Sequence, residues 1–206
     1  MQEMITISII GAKEVGKSAL STQFCYSRII EEYDPTIESY RKQIEIDNEI
    51  LIVEILDYDY FFTDSDEIQN LKKENYRKSQ GFIVVYSIID RNSFDELQNY
   101  LNEIYLIKNC DDFPIVIIGN KNDVENLRQV KKEEGEEFAF KNGCSFYEAS
   151  SGRRNNVDES FLTLLREIRK YPFDSKSNSK SNSKSNSNSN SKLNSKSNSN
   201  PNCLIF

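Results

Sequence analysis

Four short runs of apolar, mostly β-branched residues most constrain how this chain can fold. Such predominantly apolar runs predict strands that are buried on both faces, which is typical of parallel sheets covered by helices. The runs lie at residues 5–10, 50–56, 82–89 and 115–118, and residues 44–46 alternate as in a half-buried strand. Segments with helical spacing, at 17–26, 93–108 and 157–170, separate or follow them. The pattern predicts a three-layer α/β domain, with helices on both faces of the sheet.

The carboxyl ends of the strands are the expected place for a ligand, because open α/β sheets bind ligands there. The helix at 93–108 is expected to begin with a capping box, in which Asn92 or Ser93 is followed by Glu96.

Charge is distributed unevenly along the 206 residues and excludes some functions. The first 174 residues hold 33 acidic against 21 basic residues, a net charge of −12, whereas residues 175–206 hold five lysines and no acid. Binding to nucleic acid requires clustered Lys and Arg, and the first 174 residues are too acidic for it. We therefore expect no nucleic-acid partner. The basic tail fits an anionic membrane surface better.

The histidine and cysteine content excludes some kinds of catalytic and metal site. Histidine is absent, which excludes triads and acid–base catalysis that depend on it. The four cysteines, Cys25, Cys110, Cys144 and Cys203, form no CxxC pair, so neither a structural zinc site nor a secreted disulfide framework is expected.

Composition changes sharply near residue 173. We predict one folded domain over residues 1–173, then a disordered Ser/Asn/Lys-rich linker over 174–202, because such a segment cannot bury enough apolar area. Residues 203–206, Cys-Leu-Ile-Phe, form a C-a-a-X motif that predicts geranylgeranylation of Cys203. No signal peptide or membrane span is predicted, and one prenyl chain usually needs a second membrane signal.

A complete GxxxxGK[ST] motif follows the first predicted strand and precedes a predicted helix. Backbone N–H groups of such a loop wrap phosphates, and the helix N-terminus adds its positive dipole end. Lys17 is expected to contact the β and γ phosphates, and the Ser18 hydroxyl to bind Mg²⁺. The predicted phosphate-binding residues are Gly11, Ala12, Lys13, Glu14, Val15, Gly16, Lys17 and Ser18.

A second motif, Asn120-Lys121-Asn122-Asp123, follows the fourth run after Gly119. The Asp123 carboxylate can accept hydrogen bonds from the N1–H and 2-amino groups of guanine, a donor pair that adenine lacks. Lys121 can lie along the base, and Asn120 can join this loop to the phosphate loop. The sequence therefore favours guanine over adenine nucleotides.

These motifs, together with GKSAL (16–20), EYDPTIE (32–38), SYRKQ (39–43), ILD (55–57), GNKND (119–123) and LLREIRK (164–170), make the chain resemble Ras-type small GTPases over 4–173. The resemblance implies a P-loop G domain with a six-stranded, mostly parallel sheet that binds GTP or GDP and Mg²⁺. It implies that Thr36 binds Mg²⁺ directly and Asp57 through water, and that Ser150 and Ser151 complete the guanine site. The implied effector segment comprises Tyr33, Asp34, Pro35, Thr36, Ile37, Glu38, Ser39 and Tyr40.

The chain departs from the family pattern directly after Asp57. Where Ras proteins continue Thr-Ala-Gly-Gln, this chain has Tyr58-Asp59-Tyr60-Phe61. Tyr60 and Phe61 thus replace the glycine whose N–H binds the γ-phosphate and the glutamine that orients the attacking water. No catalytic residue can be recovered, and the aromatic residues either pack on a neighbouring helix or form a new partner surface.

Other departures surround the nucleotide. Lys13 and Glu14 replace two glycines, and their side chains would crowd an incoming arginine finger. The effector segment is one residue short, at Glu38-Ser39-Tyr40. Ile29 replaces an aromatic residue and Gly152 a lysine that flank the base, which should weaken nucleotide affinity.

We therefore expect a membrane-tethered GTP-dependent signalling switch with slow hydrolysis, located at the cytoplasmic face of the cell membrane and in part in the cytosol. Its effector and exchange-factor partners cannot be named from the sequence. The alternative is a GTP-loaded or nucleotide-weak interaction module that does not rely on hydrolysis. An adenine-nucleotide enzyme is disfavoured by Asp123.

Overall fold

The computed structural model describes residues 3–27, 39–58, 65–110 and 112–171. All of them belong to one compact unit, Met1–Phe173. The linker predicted at 174–202 and the motif at 203–206 lie outside the described residues, so these domain assignments stay predictions.

Six strands form a single sheet in the order β2-β3-β1-β4-β5-β6. Only the β2–β3 pair is antiparallel, and every other neighbouring pair is parallel. This confirms the six-stranded, mostly parallel sheet. The strands are β1 Glu3–Gly11, β2 Ser39–Ile46, β3 Glu49–Leu56, β4 Gly81–Ser87, β5 Ile115–Asn120 and β6 Ser145–Glu148.

Helices connect the strands and cover both faces of the sheet. They are α1 Lys17–Tyr26, α2 Asp66–Lys78, α3 Arg91–Asp95, α4 Leu97–Lys108, α5 Lys132–Lys141 and α6 Val157–Lys170, with a 3₁₀ helix at Asn122–Leu127. In α6 the charges suit the helix dipole, since Asp158 and Glu159 lie in the first turn and Arg169 and Lys170 in the last. No helix in the described part of the chain is long and apolar enough to cross a membrane.

The sheet separates two apolar cores, as a three-layer fold requires. On one face α1 and α6 meet, where the rings of Phe24 and Phe161 stack with centroids 4.3 Å apart. On the other face α2 to α5 pack on β4 and β5, and there the ring of Phe94 lies edge-on to that of Tyr86. All residues of β4 and β5 are buried, which explains their uninterrupted apolar runs.

The single helix predicted at 93–108 is wrong, because the structure has two helices that meet at Glu96. The predicted capping box is also wrong. Asp90 caps α3 instead, and its carboxylate accepts a hydrogen bond from the Asn92 N–H at 3.1 Å. Ser93 is buried, and its hydroxyl accepts a hydrogen bond from the Ser87 N–H at 3.0 Å. Ser93 therefore lies inside α3 and contacts the end of β4 instead of capping a helix.

Candidate nucleotide-binding site

The carboxyl ends of the parallel strands bring the predicted site residues to one edge of the sheet. Ser8 pairs with Leu56, so Asp57 leaves β3 beside the end of β1. Further along the edge, Gly11 pairs with Val85, and Ser87 pairs with Asn120. The phosphate loop, the end of β3 and the Asn120 loop therefore share one edge of the sheet.

The two glycines of the phosphate loop are required by close packing. Gly11 has φ 147°, and a β-carbon there would lie 2.1 Å from the Val85 carbonyl oxygen. Gly16 has φ 98°, and a β-carbon there would lie 2.3 Å from Nδ2 of Asn120. A side chain at Gly11 would clash with the backbone of β4, and one at Gly16 would displace the buried Asn120 amide, so the local fold itself demands both glycines.

Lys17 is buried at the start of α1, and its ammonium group lies across the loop. Nζ donates hydrogen bonds to the carbonyl oxygens of Gly11 at 3.1 Å and Ala12 at 2.9 Å. These contacts hold a positive charge at the loop, where the N-terminus of α1 also adds the positive end of its helix dipole. The loop is therefore suited to bind an anion such as phosphate.

Oxygen ligands suited to Mg²⁺ lie at the same edge. Ser18 is in the first turn of α1, and Asp57 is buried directly after β3. A hydroxyl and a carboxylate are the hard oxygen donors that Mg²⁺ prefers, and the ion usually completes its shell with water and substrate phosphate. In the described ranges no group of three or more His, Cys, Asp or Glu residues could hold a metal ion. The residues present fit an ion that is shared with a nucleotide.

Asn120 joins three loops through its side-chain amide. It is fully buried, and Nδ2 donates to the Val15 carbonyl oxygen at 2.8 Å, within the phosphate loop. Its Oδ1 accepts a longer hydrogen bond, 3.4 Å, from the Ser151 N–H. The predicted link between the base loop and the phosphate loop is thus present, and it extends to the loop after β6.

The Asp123 carboxylate is held by a neighbouring serine. The Ser150 hydroxyl donates to Oδ1 of Asp123 at 2.7 Å and accepts a hydrogen bond from the Arg153 N–H at 3.0 Å. Lys121 has left-handed backbone, with φ 69°, at the turn between β5 and the 3₁₀ helix. Hydrogen bonds thus connect Asn120 with Ser151 and Asp123 with Ser150, and Lys121 lies between the two loop residues in sequence. Their contacts with guanine stay predictions.

An ion-pair network that supports this site was missed in the sequence. Arg128 forms a bidentate pair with Glu148, at 2.6 and 2.9 Å, and also binds Glu125. These carboxylates raise the pKa of the Arg128 guanidinium above its usual range. The network joins the 3₁₀ helix to the end of β6. The partners are 20 residues apart, and no local pattern signals such a pair.

Some predicted residues lie outside the described part of the chain. They are residues 33–38 with Thr36, residues 59–62 with Tyr60 and Phe61, Ile29, and Cys203. Of the predicted effector segment, Ser39 and Tyr40 are described. Ser39 is exposed, whereas Tyr40 is buried, and its ring lies 6.3 Å from that of Tyr26. Their role in effector binding stays a prediction.

Three residues that depart from the family pattern, Lys13, Glu14 and Gly152, lie in the described part of the chain. Lys13 and Glu14 are exposed in the phosphate loop, and Glu14 has left-handed backbone, with φ 63°. A β-carbon on Gly152 would lie 3.6 Å from both Oδ2 of Asp123 and the Ser150 hydroxyl oxygen. This is an ordinary contact distance, so the site has room for a side chain that the sequence does not supply.

Comparison with known proteins now decides the family. The sequence profile of the Ras family matches residues 6–170. The chain belongs to the Ras family. It is 44% identical over 164 residues to Ras-like protein 1 of Saccharomyces cerevisiae, an alignment that covers 79% of this chain and 52% of that protein. It is 42% identical over 164 residues to a Ras-like protein of Laccaria bicolor, covering 79% and 77%. The chain thus matches about half the length of the yeast Ras-like protein.

Membership of the Ras family gives the site its ligand class. Ras-family proteins are small GTPases that generally bind GTP or GDP with Mg²⁺. The phosphate loop with Lys17 is suited to the phosphates, and the oxygen atoms of Ser18 and Asp57 are suited to Mg²⁺. The Asp123 carboxylate, which is hydrogen-bonded to Ser150, is suited to guanine.

Proposed function

We propose that the chain is a GTP-binding switch that hydrolyses GTP slowly. The observation that carries the proposal is a contrast within one site. The side chains expected to contact the nucleotide are present, and Lys17, Asn120 and Asp123 are each held by hydrogen bonds. The residues expected to act on the attacking water are replaced by Tyr60 and Phe61.

Each group that this chain retains from the family pattern has a distinct task on bound nucleotide. Lys17 and the N-terminus of α1 counter the phosphate charge. Ser18 and Asp57 would hold Mg²⁺, which neutralises charge on the phosphate oxygens. Asp123 pairs with the guanine edge, while Asn120 keeps the base loop and the phosphate loop at a fixed separation.

Hydrolysis is expected to be slow because two groups are missing. Catalysis in this fold depends on placing water and stabilising charge. Neither Tyr60 nor Phe61 has the amide side chain of the lost glutamine, and a tyrosine at the glycine position restricts the backbone. Loss of a single transition-state donor costs roughly 10²- to 10³-fold in rate.

The phosphate loop should also hinder hydrolysis that is stimulated by a partner protein. Lys13 and Glu14 carry exposed side chains where the family pattern has glycines. Atoms at this position would compete for space with an arginine supplied by an activating partner. We expect partner-stimulated hydrolysis to be weak for this reason.

We further propose a membrane tether at Cys203, through prenylation of the C-a-a-X motif. The lysines between 176 and 196 would add weak attraction to anionic lipid. Such a chain would act at the cytoplasmic face of the cell membrane, where effector and exchange-factor proteins would meet it. One prenyl chain with dispersed lysines favours reversible attachment.

The test is to purify the full chain, identify its bound nucleotide, and follow a single turnover of GTP in Mg²⁺. Bound GTP that persists for hours would support slow hydrolysis. Brisk phosphate release would refute slow hydrolysis while leaving guanine-nucleotide binding in place. Protein that neither retains nor takes up guanine nucleotide would refute the proposed function.

A second candidate is a nucleotide-weak interaction module. The open position at Gly152 favours it, because one wall of the base site lacks a side chain. In that case partner binding would be equal for nucleotide-free and GTP-loaded chain. A switch would bind an effector only in the GTP state.

A further inference from the structure

Gly152 is the one glycine of this chain that the fold itself does not require. The chain has seven glycines, and a β-carbon on five of them would lie under 3.0 Å from a neighbouring atom. A sixth, Gly143, has left-handed backbone, with φ 66°. Gly152 has neither restriction, because its φ lies outside the left-handed region and its β-carbon would come no closer than 3.6 Å to any atom of the described residues. The fold therefore gives no reason for a glycine at this position.

Gly152 borders the carboxylate that is expected to recognise guanine. A β-carbon on Gly152 would lie 3.6 Å from Oδ2 of Asp123 and 3.6 Å from the Ser150 hydroxyl oxygen. That hydroxyl donates to the other carboxylate oxygen, Oδ1, at 2.7 Å, which fixes the carboxylate in place. Oδ2 accepts no hydrogen bond within the described ranges. An available acceptor oxygen and the space left by the missing side chain are thus neighbours.

The space beside Gly152 lies within reach of the 2-amino group of a bound guanine. When that group donates to the Asp123 carboxylate, its nitrogen lies about 3 Å from a carboxylate oxygen. The amino group has two hydrogens, and one of them is enough for this bond, so the other position can carry a substituent. A substituent of a few atoms extends far enough to enter the space that a side chain at position 152 would fill.

We propose that Gly152 determines the base specificity of the site, and that the chain accepts guanine nucleotides that carry a substituent on the exocyclic 2-amino group. The inference rests on the proposed function, because it concerns the same base-binding residues. A large side chain at position 152 would fill the space and exclude such nucleotides. The glycine thus admits a wider class of guanine ligands than a filled space would.

The full chain is loaded with fluorescently labelled GDP in Mg²⁺, and the label is displaced either by GDP or by GDP with an ethyl group on the 2-amino nitrogen (ethyl-GDP). The readout is the ratio of the two displacement midpoints, so a general change in affinity cancels. We expect a ratio near one for wild type and for Gly152→Ala, whose β-carbon makes only ordinary contacts. Gly152→Leu should disfavour ethyl-GDP by roughly tenfold or more, the scale of a steric misfit in a packed pocket.

Arg153 is the neighbouring side chain that the test must separate from the effect of Gly152. Its N–H donates to the Ser150 hydroxyl at 3.0 Å, and its exposed side chain forms no ion pair within the described residues. Arg154, by contrast, pairs with Asp158 at 2.8 Å, so Arg154→Ala is the matched control for Arg153→Ala. If wild type rejects ethyl-GDP and Arg153→Ala accepts it, the arginine fills the space and the proposal is overturned.

Two further results would also overturn it. Equal ratios in wild type, Gly152→Ala and Gly152→Leu would show that position 152 does not limit what the base carries. Wild type that rejects ethyl-GDP as strongly as Gly152→Leu would show that the space is closed. Wild-type chain that takes up no labelled GDP at all refutes the proposed function and this inference with it, a result distinct from the other two. Thermal unfolding of each variant checks that these exposed substitutions leave the fold intact.

Discussion

At the scale of single residues, Tyr86 has an uncommon environment. Its side chain is fully buried, and its hydroxyl has no hydrogen-bond partner among the described residues. A β-carbon on Gly119 would lie 2.7 Å from that hydroxyl oxygen, and one on Gly135 would lie 2.5 Å away. Burial raises the pKa of the Tyr86 phenol. The two glycines thus make room for a polar group that gains no visible partner.

Replacement of Tyr86 by phenylalanine should stabilise the protein. A buried polar group without a partner costs about 1–3 kcal/mol, and Tyr86→Phe removes it while the ring remains. Urea unfolding should show a higher midpoint with an unchanged slope. The matched control is Tyr147→Phe, because the Tyr147 hydroxyl lies 2.7 Å from that of Thr163 and its removal should destabilise. Loss of stability in both variants would indicate that the Tyr86 hydroxyl binds an internal water.

Thiol reactivity should differ between the three described cysteines. Burial raises the pKa of Cys25 and of Cys144 to about 11, whereas Cys110 is exposed. The thiolate is the reactive form, so Cys25 and Cys144 should label slowly at pH 8 and faster as the pH approaches 11. Mass spectrometry of a Cys203→Ser chain would locate the label. Equal labelling of all three sites at pH 8 would contradict the expectation.

At the scale of elements, local patterns predicted the buried strands and the two ligand loops but missed other parts. The runs of β4 and β5 are apolar throughout because both faces are covered, so the sequence reveals them. In α2, by contrast, only Asn75 and Tyr76 are buried, which leaves a weak apolar pattern. The helical spacing of 93–108 gives no sign of the break at Glu96. The Arg128–Glu148 pair joins residues 20 positions apart, and such a contact cannot be deduced from residues that are neighbours in sequence.

Removal of one partner from the Arg128–Glu148 pair should strongly destabilise the base-loop region. Both side chains are mostly buried, with 16% and 10% exposed, so either one left alone is costly. Arg128→Met should destabilise by about 3 kcal/mol, because it leaves the Glu148 carboxylate without its bidentate partner. The double variant Arg128→Met/Glu148→Met should lose less than the sum of the two single variants. Urea unfolding of all four proteins gives the coupling energy, and additive losses would show that the pair is not coupled.

At the scale of the whole molecule, the sheet edge joins the two halves of the site. The phosphate loop begins at β1, and the base loop begins at β5, with β4 between them. Asn120 bridges the two loops by its hydrogen bond to Val15, and the loop after β6 joins through Ser151. A ligand that contacts both loops therefore stabilises both sides of β4 at once.

Guanine nucleotide should accordingly raise the stability of the whole domain. A ligand that binds only the folded state adds RT ln(1 + [L]/Kd), about 2.7 kcal/mol at a concentration 100 times Kd. Thermal unfolding of the full chain with GDP and Mg²⁺ should show this gain, and ADP should give none. Asp123→Ala should lose the response to GDP, because it removes the carboxylate that pairs with guanine. Arg91→Gln is a suitable control, since Arg91 binds Asp95 and Glu134 away from the predicted guanine-binding residues. An equal response to GDP and ADP would show that Asp123 does not select the base.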